Sequence, residues 1–287
     1  MSKIDLYRGD RLEVKDDKKQ HIVCFSGGHS SAIVAIEVVR KYGKENVILL
    51  NHDISSNVEN ADIKRFKNEV ANYLSIEITY ANMKGFEEND QFDVCIKAKA
   101  FKVSHDRVIC TSRLKTEPFT KYLNKHQQDK NCIIYYGFDK REDNRINRRT
   151  VIMEKMGYQT EYPLSSFSVG IKNTTEIGIN PPMTYSHFRH ANCTGCIKGG
   201  SQHWYIVFCT RKDLWEKGKE AERIIKHSII KNNFLIHLEC KFKLMQELEI
   251  EPTEHIAHQT FWANVRKKIR DTKLEELASY DKECLCT

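Results

Sequence analysis

No apolar run in this sequence approaches the roughly 20 residues of a membrane-spanning helix, so none is expected. The opening residues, Met1-Ser2-Lys3-Ile4-Asp5, are polar and mixed in charge, which argues against a secretory leader. With 13 glycines and 5 prolines among 287 residues, a collagen-like chain is excluded, and 40% hydrophobic residues exclude a disordered one. Repeats and low-complexity tracts are lacking too. Neither sign of charge dominates: 46 Lys+Arg stand against 39 Asp+Glu, a net charge of +7. That surplus suits an anionic partner such as a nucleotide and is compatible with a nucleic acid, but establishes neither. A soluble, cytoplasmic protein with one large domain, or a domain plus an appendage, is expected.

Cysteine is the residue in excess. Ten occur, and without an export signal the default is metal or redox chemistry rather than a disulfide framework.

Residues 1–20 read as a charged lead-in. His21 to Phe25 is an apolar, β-branched run that ends at Ser26-Gly27-Gly28, which predicts a buried strand and a turn. From Ser31 to Tyr42 the period becomes helical, with Ile33, Ile36 and Val39 on one face and Gly43 as a stop. Strands follow at 46–50, 76–80 and 133–136, with a helix over 60–74 carried by Ile63, Phe66, Val70 and Leu74. Alternating strands and helices predict an α/β domain with a parallel sheet. Residues 213–249 and 253–280 are helical in pattern. The expected division is therefore a lead-in over 1–20, an α/β domain over 21–210 and a helical C-terminal region over 211–287.

The turn Ser26-Gly27-Gly28-His29-Ser30-Ser31 lies between a strand and a helix, where paired glycines let backbone N–H groups approach a phosphate. It lacks the Gly-Lys-Ser/Thr of a Walker loop, and a tight turn that binds nothing would look alike. The segment Ser-Gly-Gly-x-x-Ser resembles the phosphate loop of the adenine-nucleotide α-hydrolase group, the N-type ATP pyrophosphatases or PP-loop proteins. That group includes the phosphoadenosine phosphosulfate (PAPS) reductases, the sulfurtransferases of DNA phosphorothioation and tRNA-thiolating enzymes. Ser30 stands where the pyrophosphatases carry Asp, which weighs against ATP cleavage more than against nucleotide binding. Asn51-His52-Asp53, with Glu59 downstream, falls where the family contacts adenosine. Gly137 to Arg145 is similar to its Gly-x-Arg…Arg segment. Asn180-Pro181-Pro182-Met183-Thr184-Tyr185, Arg189 and Cys193-Thr194-Gly195-Cys196 resemble its Asn-Pro-Leu-Tyr…Arg-x-Gly-Cys-x-x-Cys. The resemblance spans about residues 21 to 205, with its motifs in the family's order.

Cys193 and Cys196 have the spacing that lets two thiolates share one metal or cluster. Cys110, followed by Arg113, Lys115 and Pro118, resembles the Cys-Cys…Lys-Val-Glu-Pro segment of the iron–sulfur sulfonucleotide reductases, with Thr111 in place of the second cysteine. The resemblance implies Cys110, Cys193 and Cys196 as ligands of an iron–sulfur cluster, or alternatively of zinc, and gives Arg113 and Lys115 a place beside it. PAPS reductases carry a nucleophilic cysteine in Glu-Cys-Gly-x-His near the C-terminus. Glu283-Cys284 matches its start, while Leu285-Cys286 departs from it. Cys284 is thus a nucleophile, or Cys284 and Cys286 are ligands that close the metal site, or both are stray thiols of a tail. Cys24, Cys95, Cys132, Cys209 and Cys240 read as small core residues. Arg148 and Arg149 read as a solvated helix face. His187, His190 and His203 flank the Cys193 pair and read as satisfied surface histidines, the commoner case, with metal ligation by one of them as the alternative.

Three functions follow. The first is a PAPS-reductase-like enzyme that binds an adenylyl sulfate and works with an external thiol reductant. The second is an ATP-dependent sulfurtransferase that modifies a nucleic acid, using a sulfur donor protein. The third is a nucleotide sensor with a structural zinc. An adenine-nucleotide-binding enzyme with sulfur chemistry is the expectation retained.

Overall fold

A computed structural model describes residues 19–103, 107–166 and 169–272. Cys284, Cys286 and most of the expected lead-in lie outside the described residues. No helix among the described residues is long and apolar enough to cross a membrane. The residues divide into two compact units that interleave along the chain. One comprises residues up to 51, then 64–81 and 122–182; the other comprises 52–63, 82–121 and the residues from 183 onward.

The first unit is built on a five-stranded parallel sheet. β1 (Gln20–Cys24) leads into α1 (His29–Tyr42), β2 (Val47–Asn51), α2 (Ala61–Leu74) and β3 (Ile78–Tyr80). The chain returns to this sheet as β4 (Cys132–Tyr135), then α5 (Asp143–Lys155) and β5 (Gln159–Glu161). Strand order is β3-β2-β1-β4-β5, so the chain grows outward from β1 in one direction and then resumes on its other side at β4. The connections leaving β1 and β4 therefore run in opposite directions, the arrangement at which open parallel sheets bind ligands at their carboxyl edge. Ile22 and Val23 of β1 are fully buried, and Ile33, Ile36 and Val38 of α1 cover the sheet with Phe66 and Val70 of α2. The expected strands and helices appear, and β5 adds a polar edge strand that no apolar run announced.

The second unit is mainly helical. It contains α3 (Gln91–Ala98), α4 (Glu117–His126, which extends past residue 121), α6 (Ser201–Thr210), α7 (Lys212–Ile225), α8 (Leu235–Glu247) and α9 (His258–Asp271). Its core is aromatic: Trp204 of α6 packs edge-on against Trp215 of α7, and Phe242 of α8 closes on both Trp215 and Tyr205. Glu222 secures the connection from α7 to α8. Its buried carboxylate accepts the N–H groups of Ile229 at 2.7 Å and Leu235 at 2.6 Å. Burial raises its pKa, and those two N–H groups oppose the rise. Glu222→Ala strands both donors, and each unsatisfied buried group costs about 1–3 kcal/mol. Urea unfolding of the variant is expected to show a loss of roughly 2–5 kcal/mol.

Candidate functional site

In the first unit, β1 ends at Cys24 and the chain turns at Gly27, whose φ of 78° lies in the left-handed region that suits glycine. Gly28 is extended and precedes α1 without any side-chain cap, and the first turn of α1 holds no acidic residue. A helix start of this kind can offer its leading N–H groups to an anion. Ser31 is buried and donates to the Gly28 carbonyl at 2.8 Å, while the Ser26 hydroxyl donates to Ser31 Oγ at 3.2 Å. Those bonds hold the loop closed on itself. Ser30 stays exposed. His29 accepts the Thr174 N–H at 3.3 Å, and burial keeps its ring below the usual histidine value.

Gly137, two residues beyond β4, packs directly against the same loop. A Cβ there would lie 3.0 Å from the Ser30 carbonyl carbon and 3.0 Å from the Ser31 nitrogen. The two loops at the point where strand order reverses are therefore in backbone contact. Arg145 pairs with Glu142 and stacks over Phe138, 4.2 Å from its centroid, and Arg149 lies over Tyr136 at 5.3 Å.

Asn51, expected to meet adenosine, is buried at the end of β2. Its amide donates to the Phe25 carbonyl and its oxygen receives Lys67 Nζ at 3.2 Å. It thus fixes the backbone just before the loop. Lys67 was not singled out from the sequence, yet it is 1% exposed and carries a cation to this edge of the sheet. A signal existed, since Lys67 falls on the apolar face of α2 beside Phe66 and Val70. His52 and Asp53 belong to the other unit, where Asp53 and Asn82 exchange hydrogen bonds of 2.9 and 2.8 Å.

In the second unit, the Cys193–Cys196 loop is fixed by hydrogen bonds at Thr194, Gly195 and Cys196. Thr194 N–H donates to the Val58 carbonyl at 2.9 Å, and the buried Gln91 amide donates to the carbonyls of Thr194 and Gly195. Gly195 turns the chain at φ 72°. Cys196 N–H donates to His203 Nε2 at 3.1 Å, and its carbonyl accepts Gly199 N–H at 2.8 Å. Cys95 lies one helical turn beyond Gln91 on the same face of α3, a helix started by the Asp90–Asp93 capping box. The Cys95 sulfur receives the backbone N–H of Cys110 and pairs with its thiol. Reading Cys95 as an inert core residue missed this contact.

Lys115 and Arg113 part company. A five-residue π-helical stretch, Ser112–Thr116, precedes α4. Arg113 there is half-exposed and pairs with Glu117 at 2.6 Å. The Lys115 ammonium is buried beside Cys193, Cys196, Cys110 and Glu59. Cys193, the largest influence, holds it above the usual lysine value against the pull of burial. Burial pushes the Cys193 thiol up to about 11, opposed by Lys115, and raises Cys196 as well. Cys110 is raised by its bond to Cys95 and by burial. At neutral pH, then, a charged lysine stands among protonated sulfurs.

That arrangement predicts a pH response. The unfolded chain releases a thiol proton near pH 8.5, whereas the folded metal-free protein holds the Cys193 proton to about 11. The thiol contribution to stability is complete below about pH 8.5 and is lost as pH rises through about 11. Urea midpoints of metal-free protein should fall across that window, and to a smaller degree in Cys193→Ala.

Cys110, Cys193, Cys196 and Cys95 form one set of soft donors. A set of soft sulfur donors is one that an iron–sulfur cluster, or zinc, would accept. Among the described residues His190, His203 and Glu254 form a further group, whose ligand atoms all lie within 4.8 Å of one another. Cys132 is buried in β4, as a core thiol should be, whereas Cys24 is only partly buried, its thiol pushed up to about 12 by desolvation. No protein-family model, curated protein or solved structure matches this chain, so its candidate site stands on its own geometry.

Proposed function

We propose that this chain is an adenine-nucleotide-binding enzyme of the PP-loop kind, similar to the PAPS reductases, with sulfur chemistry at its thiolate centre. The observation that carries the reading is the uncapped glycine turn at the strand-order reversal, braced by Gly137. Backbone N–H groups there suit a phosphate or sulfate, and the carboxyl edge beside it is where parallel sheets bind nucleotides. Asn51 and Lys67 hold the loop's base and supply positive charge.

Cys95, Cys110, Cys193 and Cys196 would hold an iron–sulfur cluster, which when bound supplies electrons or a labile sulfur. Lys115 offsets the negative charge that four thiolates bring. Arg113, paired to Glu117, is the weaker candidate of the two. The substrate class is an adenylyl sulfate, with a thiol protein as reductant. A role for Cys284 as nucleophile rests on the sequence resemblance alone.

Binding is tested by thermal unfolding with adenylyl sulfate or ATP. At a hundredfold excess over Kd, either should stabilise the protein by about 2.7 kcal/mol. A response to adenylyl sulfate but not ATP supports the reductase. ATP alone supports the sulfurtransferase that modifies nucleic acid, and no response to either rejects both.

A further inference from the structure

His203 sits at the start of α6, 4% exposed, and its ring spans two contacts that fix its chemistry. On one side, Nε2 lies 3.1 Å from the Cys196 backbone nitrogen. A backbone N–H can only donate, so Nε2 must keep its lone pair and the ring proton belongs on Nδ1. On the other side, Nδ1 lies 3.2 Å from Glu254 Oε1, an acceptor suited to that proton. Glu254 is itself held in place: its N–H donates to the His187 carbonyl at 2.8 Å, and its second oxygen faces His190 Nε2 at 3.2 Å. Gly199 leaves the ring its room, because a Cβ there would come within 2.4 Å of His203 Cδ2.

We propose that His203 is the positioning residue of the Cys193–Cys196 loop, locked by Glu254 as the Nδ1–H tautomer so that Nε2 pins the Cys196 amide. Its purpose rests on the thiolate-site reading above, since a pinned amide fixes where the Cys196 sulfur points. The competing use of the same atoms is a divalent-cation site of His190, His203 and Glu254. Hydrogen bonding argues against it. A metal on Nδ1 would leave His203 no ring proton at all, whereas ligating histidines ordinarily donate from their second nitrogen.

The test uses the full chain free of metal, so failure of a cluster to load cannot be mistaken for failure of this proposal. Long-range proton–nitrogen NMR should find the His203 proton on Nδ1 and a lone pair on Nε2. Cys196 amide exchange should be protected in the parent and quicken about tenfold or more in His203→Leu. His203→Gln, whose amide oxygen can still accept, should restore most of that protection. Gly199→Ala, which displaces the ring without removing it, should also quicken exchange. A proton on Nε2, unchanged exchange in His203→Leu, or stoichiometric Zn²⁺ binding that shifts Nδ1 would each overturn the assignment. If His203→Leu does not fold, the tautomer in the parent protein still decides.

Discussion

Cys95→Ser should strip bound metal from the protein as completely as Cys196→Ser does. The sulfur of Cys95 receives the backbone N–H of Cys110 and pairs with its thiol, and Cys110 in turn lies beside Cys193 and Cys196. A serine oxygen is a hard, protonated donor and a poor substitute for a thiolate on iron. Outer-shell changes alone cost 10–100-fold in metal affinity, so loss of a ligand should exceed about 100-fold. Because metal binding energy is also folding energy, the metal-loaded stability should fall in parallel. Cys132→Ser, in a strand of the other unit, serves as the control and should keep its metal. Full metal occupancy in Cys95→Ser would return that residue to the core and leave the centre with three cysteines from the described residues.

Gly137→Val should abolish the nucleotide response while leaving the sheet folded. The added Cβ would sit 3.0 Å from backbone atoms of Ser30 and Ser31, which cannot rotate away as a side chain could. Relief requires the loop after β1 to move, and with it the N–H groups offered to the anion. Overpacking of this kind costs about 1–3 kcal/mol of stability. Affinity for the nucleotide should drop by more than about tenfold, or 1.4 kcal/mol, read by calorimetry. Gly137→Ala should fall between the two. Parent-like affinity in Gly137→Val would take this loop out of the binding site.

The regular elements were legible because their signals are local. β-branched runs mark β1, β2 and β4, and a 3.6-residue period marks α1 and α2. β5 was not, since Gln159-Thr160-Glu161 has no apolar residue and gains its place only by pairing with β4. The phosphate loop and the Cys193–Cys196 pair were legible as motifs. Cys95 was not: Val94 and Ile96 announce burial correctly, but burial does not reveal which residue a thiol meets. That partner is delivered by a short antiparallel pairing of Lys102–Val103 with Arg107–Val108 and by the Ile109 N–H bond to Phe101. Lys115 and Arg113 are equally basic in sequence, and only the π-helical turn separates a buried ammonium from an exposed guanidinium. The interleaving of the two units was hidden as well, because the residues of 52–63 and 82–121 find their core with helices a hundred residues later.

The most direct test is metal and sulfide analysis of the full chain, purified and reconstituted without oxygen. Iron accompanied by acid-labile sulfide, and lost together in Cys110→Ser, is the predicted result. Zinc without sulfide, or iron that survives Cys110→Ser, would contradict a sulfur-active centre built on these cysteines.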